Sequence, residues 1–238
     1  MISTRHLLAG AFASVLLLQP AHARPILYAH SVTLLADYRA DAMKEASISY
    51  APTAFLSFGV GHLELDGAGP GHEHEIDYLR LNALAKRWNF ESAQANIFVW
   101  AGAGRSKLTI AADAPDSGEH NHGPVTPGQP LELNETAGNI GGQIDYETRR
   151  IYASFATDSQ FASSFTHRMD TLQLGIAPYE HEADGLSTWF VVSATRFSGN
   201  VQEDTQVSLL LRFFKKFAWV EVGATTDGKP QARVMLSF

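Results

Sequence analysis

The 238-residue sequence predicts an all-β chain closed into an antiparallel, up-and-down transmembrane β-barrel of about twelve strands, ten at the fewest. Three observations predict it. Apolar residues recur with period 2 and almost never with period 3.6. Turn residues break that alternation at intervals of about ten. The connections alternate between short turns and longer polar loops, as the two rims of a membrane barrel do.

The first element is a leader. "MISTRHLLAGAFASVLLLQPAHA" carries a basic start at Arg5, an apolar core from Leu7 to Leu18 and the small-x-small site Ala21-His22-Ala23, so residues 1–23 are expected to be a cleaved signal peptide. Read instead as a membrane anchor, that core falls short of the roughly 20 residues a spanning helix needs. Residues 24–238 are expected to form one barrel domain. Strands are expected over 29–38 and 42–50, then over 54–65 after the short turn 51–53. The loop "GAGPGHEHE" leads to 75–87, where "YLRLNALAK" sets Leu79, Leu81, Ala83 and Ala85 against Arg80, Asn82, Leu84 and Lys86. After the turn 88–92, strand 93–105 sets Ala95, Ile97 and Val99 against Gln94, Asn96 and Phe98.

A long outer loop of about 106–135, with four of the ten prolines, precedes 136–147, where Ile140, Ile144 and Tyr146 oppose Asn139, Gln143 and Asp145. Strand 150–158 follows the turn 148–149, and "SQFASSF" leads to 167–178. The turn 179–185 precedes 186–197. After "SGNVQEDT", strand 205–214 sets Val207, Leu209, Leu211 and Phe213 against Gln206, Ser208, Leu210 and Arg212. The lysines at 215–216 turn the chain into 217–225. Strand 230–238 ends it, with Ala232, Val234, Leu236 and Phe238 on one parity and Gln231, Arg233 and Ser237 on the other. Tyr50, Trp88, Phe90, Tyr146, Tyr152, Tyr179, Phe214 and Phe217 gather at the short-turn rim, where an interfacial aromatic girdle is expected.

Closure follows from the solvent. An unpaired N–H or C=O in hydrocarbon costs several kcal/mol, so strands in lipid leave no open edge. The competing architecture is a soluble periplasmic barrel or sandwich with the same period. About twelve strands, however, make a cylinder too wide for its inward side chains to form a dry core, which points the polar parity inward.

Removing the leader takes Arg5 from the 18 basic residues and leaves 17 against 25 acidic ones, a formal charge of −8. That balance argues against a nucleic-acid partner, which needs a clustered positive surface. The absence of cysteine excludes thiol catalysis and thiolate metal sites.

With its leader, its lack of cysteine, its alternating strands and a last strand ending in Phe238 behind Leu236, Val234 and Ala232, the chain resembles the outer-membrane β-barrel proteins of Gram-negative bacteria. The resemblance spans the mature chain as a pattern of residue classes. It implies an outer-membrane location with periplasmic termini, contact with outer-membrane lipid, a monomer, and a terminal strand (Phe238, Leu236, Val234) read by the barrel-assembly machinery. It carries over no catalytic residue.

Candidate sites come from the residues themselves. "HEHE" (His72, His74) and "EHNH" (His120, His122) are H-x-H pairs, read as lying in outer loops with Glu73, Glu75 and Glu119 nearby. Such donors suit Zn, Ni or Cu(II), although His-rich tracts in loops also arise from composition alone. Glu45, Arg80, Lys86, Asp145, Arg212, Glu221 and Arg233 are expected in the lumen, with Glu221 brought between Arg212 and Arg233 by antiparallel pairing that allows one bulge. They form either a constriction that selects solutes by charge or an ion-pair network that plugs the barrel.

No G-x-S-x-G, H-E-x-x-H or Walker pattern is present. Ser164 and His167 could imitate the serine–histidine pair of outer-membrane lipid hydrolases, but nearness in sequence is not geometry. Asn134 in "NET" matches a glycosylation acceptor and is read as plain loop. The expected function is a non-enzymatic narrow channel or surface protein with a partly plugged polar lumen and no resident cofactor. The alternative is a surface barrel that binds a divalent transition metal.

Overall fold

Alternation at period 2 puts every second side chain on one face, so a chain of such strands becomes a wall with two chemically distinct sides. In the computed structural model, which describes residues 29–66, 72–110, 131–180 and 185–238, that wall closes on itself. Its strands are β1 (Ser31–Arg39), β2 (Met43–Thr53), β3 (Leu56–Leu65), β4 (His72–Asn89), β5 (Ala93–Ile110), β6 (Leu131–Thr148), β7 (Ile151–Phe161), β8 (Thr166–Ile176), β9 (Ser187–Gly199), β10 (Asp204–Lys215), β11 (Ala218–Thr225) and β12 (Pro230–Ser237). Each pairs antiparallel with its sequence neighbours, and β1 pairs with β12 to seal the cylinder. The twelve strands fall where the alternation predicts them. The expected leader, residues 1–23, lies outside the described residues.

The seam is bonded to the last residue. Val32 and Phe238 exchange backbone hydrogen bonds of 2.7 and 3.0 Å, and the Thr33 and Ser237 hydroxyls meet at 2.9 Å. Phe238, 65 % exposed, ends the strand as an outward-facing ring.

The outward faces carry an apolar belt. Leu79, Ile140, Leu174, Phe190 and Leu209 are all exposed on it, and Ile97 and Val207 lie on the same outward parity. On β5 the belt runs from Ala95 to Ala103, and near β9 from Leu186 to Ala194. Nine residues rise about 30 Å along a strand, and a tilt of about 40° brings that to roughly 23 Å of height. Tyr50, Trp88, Phe90, Tyr146, Tyr179 and Phe217 are exposed at the short-turn rim. Tyr152 is a correction: it is buried and faces inward, and Phe214 lies half-buried on the inward parity of β10.

Three further expectations change. The outer loop placed at 106–135 is shorter, because β5 continues to Ile110 and β6 begins at Leu131. There the alternation persists with its sense reversed: Leu108, Ile110 and Ala137 point inward and are buried. Arg105, Lys107, Glu132 and Asn134 occupy the outward parity. Asn134 is therefore on a strand. Secondly, Lys86 is not a lumen charge. A bulge between Leu84 and Lys86 places two residues opposite one, so Lys86 faces Ile97 on the outside, its Nζ 5.8 Å from the Trp88 ring centroid. Arg87 takes the inward position. Finally, the mouth is not lined by polar groups throughout: Met43, Leu63, Leu65 and Ile76 are buried there.

Candidate functional site: the lumen and its mouth

From the short-turn end upward, the inward parity of the strands supplies alternating layers of charge and grease. Next to the short turns, Tyr152, Ala177, Trp189, Val191 and Leu210 form a buried cluster. Arg212, 1 % exposed, sits within it, directly opposite Trp189 and one inward position nearer the short turn than Leu210. Its guanidinium lies 4.4 Å from the Tyr152 ring centroid and 5.3 Å from that of Trp219, a stacked setting that suits a weakly hydrated planar cation. Arg212 Nε donates to Glu221 Oε2 at 2.7 Å and Nη2 donates to Gln173 Oε1 at 2.8 Å.

The register places Glu221 directly between Arg212 and Arg233 without a bulge. Arg233, however, turns the other way. Its Nε donates to Asp37 Oδ2 at 2.8 Å across the seam, where the two residues are direct partners. Asp37 also attracts Arg39, 3.5 Å away, and Arg39 Nη1 reaches across to Thr195 Oγ1 at 3.3 Å.

A second network spans the other half of the lumen. Arg80 Nε donates to Asn139 Oδ1 at 2.8 Å, and its Nη atoms lie 3.4 Å from Glu45 and 3.5 Å from Asp158. The Tyr78 hydroxyl donates to Glu45. Asp145 accepts from Asn96 at 2.7 Å and Gln143 at 2.9 Å, and Arg87 donates to Asn96 at 2.7 Å. Within these two networks Arg39, Arg80, Arg87, Arg212 and Arg233 balance Asp37, Glu45, Asp145, Asp158 and Glu221, so the networks themselves supply little net field to select an ion by sign. Sequence reasoning found Glu45, Arg80, Asp145, Arg212, Glu221 and Arg233; it missed Asp37, Arg39, Arg87 and Asp158. Asp37 and Arg39 were legible as the polar parity of β1, a strand whose faces separate less cleanly than those of its neighbours.

Between the two arginine clusters little space remains. The cavity between the Arg212 and Arg233 clusters, lined by Asp37, Arg39, Gln173, Glu221 and Arg233 among others, measures ≈ 10 Å³, about what one water molecule needs.

Toward the long-loop end the interior becomes apolar. Met43, Leu63, Leu65, Ile76, Tyr78, Phe165, Phe197 and Val201 pack into one buried cluster. Phe165 reaches it from the β7–β8 connection, which is fastened to β6. Ser164 N donates to Glu135 Oε2 at 3.1 Å and the Ser164 hydroxyl donates to Glu135 as well. Asn200 Nδ2 donates to Ser164 O at 3.0 Å, and Thr166 N donates to Asn200 Oδ1 at 2.6 Å.

The sequence-predicted sites resolve as follows. His72 and His74 begin strand β4 instead of lying in a loop; His74 is buried, edge-on to Phe165 with centroids 5.1 Å apart. His120 and His122 lie outside the described residues. Among the described residues no three His, Asp or Glu side chains are grouped to hold a metal ion. Ser164 and His167 do not form a pair: the Ser164 hydroxyl serves Glu135, and His167 is buried with its ring 5.8 Å from that of Phe197.

No protein-family model and no curated protein matches the chain. Among solved structures it is similar to the N-terminal β-barrel domain of Pseudomonas aeruginosa OprF, with 12 % identity and a TM-score of 0.36, over 88 % of this chain and 98 % of that one.

Proposed function

We propose that this protein is an outer-membrane β-barrel that holds a folded surface head in place, with a lumen closed in the state described here. One observation carries the reading: the two faces of the wall exchange polarity partway up. Over roughly 23 Å the outside is apolar and the inside polar, which is the requirement of a strand wall in hydrocarbon. Above that height the outside carries ion pairs, Lys44–Glu64 at 2.7 Å and Lys107–Glu132 at 3.2 Å, while the inside is greasy, as in a water-soluble barrel. The exchange supports a hydrocarbon boundary at that level and a head standing in water above it.

The same reading has the leader directing export, the termini facing the periplasm, Phe238 with Leu236 and Val234 presenting the strand that the assembly machinery recognises, and the barrel working as a monomer. The filled interior favours a structural role for the lumen charges over a selective constriction.

Planar-bilayer recording of the purified full chain tests this. The expected trace has no steady open level at either polarity, and removing the mouth cluster by Phe165→Ala together with Glu135→Ala raises the frequency of openings. A persistent open level in the parent would overturn the closed lumen and restore the narrow channel.

A further inference from the structure

On the outside of the wall, across β1 to β5, lies a depression of ≈ 750 Å³, within the size range of small-molecule sites. A closed barrel is convex, so a hollow on its outer face calls for a local cause. Short outward side chains supply one. Ala46 and Ala103 add only methyl groups on the outward side, between the taller flanks of Leu34, Ile48, Val60 and Leu79.

Polarity in this hollow is confined to one end. Its apolar walls lie in the belt, and His62, Asp77 and Arg105 line it at the level where the outer face turns polar. His62 Nδ1 and Asp77 Oδ1 satisfy each other at 2.8 Å. Nearby, Lys44 is paired with Glu64 and Lys107 with Glu132. Arg105 is exposed on the outward parity and, among the described residues, enters no hydrogen bond or ion pair.

We infer that this hollow seats one phosphate-bearing acyl lipid of the surrounding leaflet, its chains along Ala46 and Ala103 and its phosphate on the Arg105 guanidinium. The inference rests on the membrane reading above. At the polar end Asp77, opposite Arg105 in the register, is held by His62, which leaves the Arg105 guanidinium to meet the anionic end of an amphiphile, and a guanidinium fork binds phosphate oxygens in pairs. A second copy of the chain would have to present a protruding ridge, which a convex strand wall does not offer.

The test is native mass spectrometry of the full-length barrel, released from detergent after equilibration with phosphatidylglycerol or, separately, with uncharged diacylglycerol. The parent is expected to retain one phosphatidylglycerol. Ala46→Trp and Ala103→Trp, which fill the slot from the lipid side, should each lower retention at least tenfold. Arg105→Gln should lower phosphatidylglycerol retention severalfold and leave diacylglycerol unchanged. Retention equal in the parent and all three variants would overturn the site. A doubled protein mass abolished by the tryptophans would overturn it too, in favour of a second copy. Failure of the membrane reading looks different: the mature chain would stay folded and soluble with no detergent present.

Discussion

A cation buried in a barrel must be met on every side, and Arg212 shows how this chain does so. Rings of Tyr152 and Trp219 flank the guanidinium, and Glu221 and Gln173 accept its hydrogen bonds. Much of the favourable energy goes to offsetting desolvation, so the pair contributes less than its geometry suggests. Removing one partner is another matter, since it strands a buried charge. Arg212→Ala should therefore lower the unfolding free energy by about 3–5 kcal/mol, read as a shift in the urea midpoint of the barrel in lipid vesicles. Arg212→Met with Glu221→Leu, which removes both charges and keeps the volume, should recover most of that loss. A double variant as unstable as the single one would mean that Arg212 acts through its ring contacts and not through its charge. The residue types here were legible from the sequence, and so was the juxtaposition of Arg212, Glu221 and Arg233. The choice of Asp37 by Arg233 was not, because it depends on the register across the seam, which closure alone does not fix.

At the level of elements, alternation located all twelve strands, since a belt buried in one solvent and a lumen filled with another leave little freedom of register. It failed where two residues share one position. In "YLRLNALAK" only Leu84, an apolar residue on the polar parity, departs from the rhythm, and an apolar residue there does not announce a bulge; yet the bulge between Leu84 and Lys86 moves the lysine outside and Arg87 inside, toward Asn96. It failed again at 106–110 and 131–135, where turn-forming residues next door and a reversed polarity made strand look like loop. The bulge gives a sharp prediction. Ala85 and Lys86 together oppose Ile97, so deleting Ala85 leaves Lys86↔Ile97 and Arg87↔Asn96 intact. That deletion should preserve folding, seen as a retained shift between unheated and boiled samples on a gel. Deleting Asn82 instead should abolish the shift, because one missing residue in the unbulged part of β4 flips either Arg80 or Leu84 to the wrong face.

For the whole molecule, the decisive quantity is the height at which the outside changes solvent. If hydrocarbon surrounds the belt, a charge placed on it costs free energy that depends on depth, about 2–4 kcal/mol for arginine near the midplane and about 0–1 kcal/mol near the interface. Leu209, 63 % exposed on β10, lies well within the belt. Asn134 on β6 points outward above it, beside the Lys107–Glu132 pair. Leu209→Arg should accordingly destabilise the vesicle-embedded barrel by about 2–4 kcal/mol, with Ile97→Arg and Leu174→Arg in the same range, whereas Asn134→Arg should change it by less than about 1 kcal/mol. A water-soluble barrel predicts a different ordering: Leu209 would already face water, and its arginine variant would cost little. Arginine at Leu108, which is 1 % exposed and faces the mouth cluster, separates the two accounts further. It should be severe in both, since it buries a charge in grease wherever the chain resides. The pattern that supports the membrane assignment is therefore a large cost at 209 and 108 together with almost none at 134. Uniformly small costs along the belt would leave the interior clusters at the mouth and at the short-turn end as the hydrophobic cores among the described residues and remove the bilayer from the account.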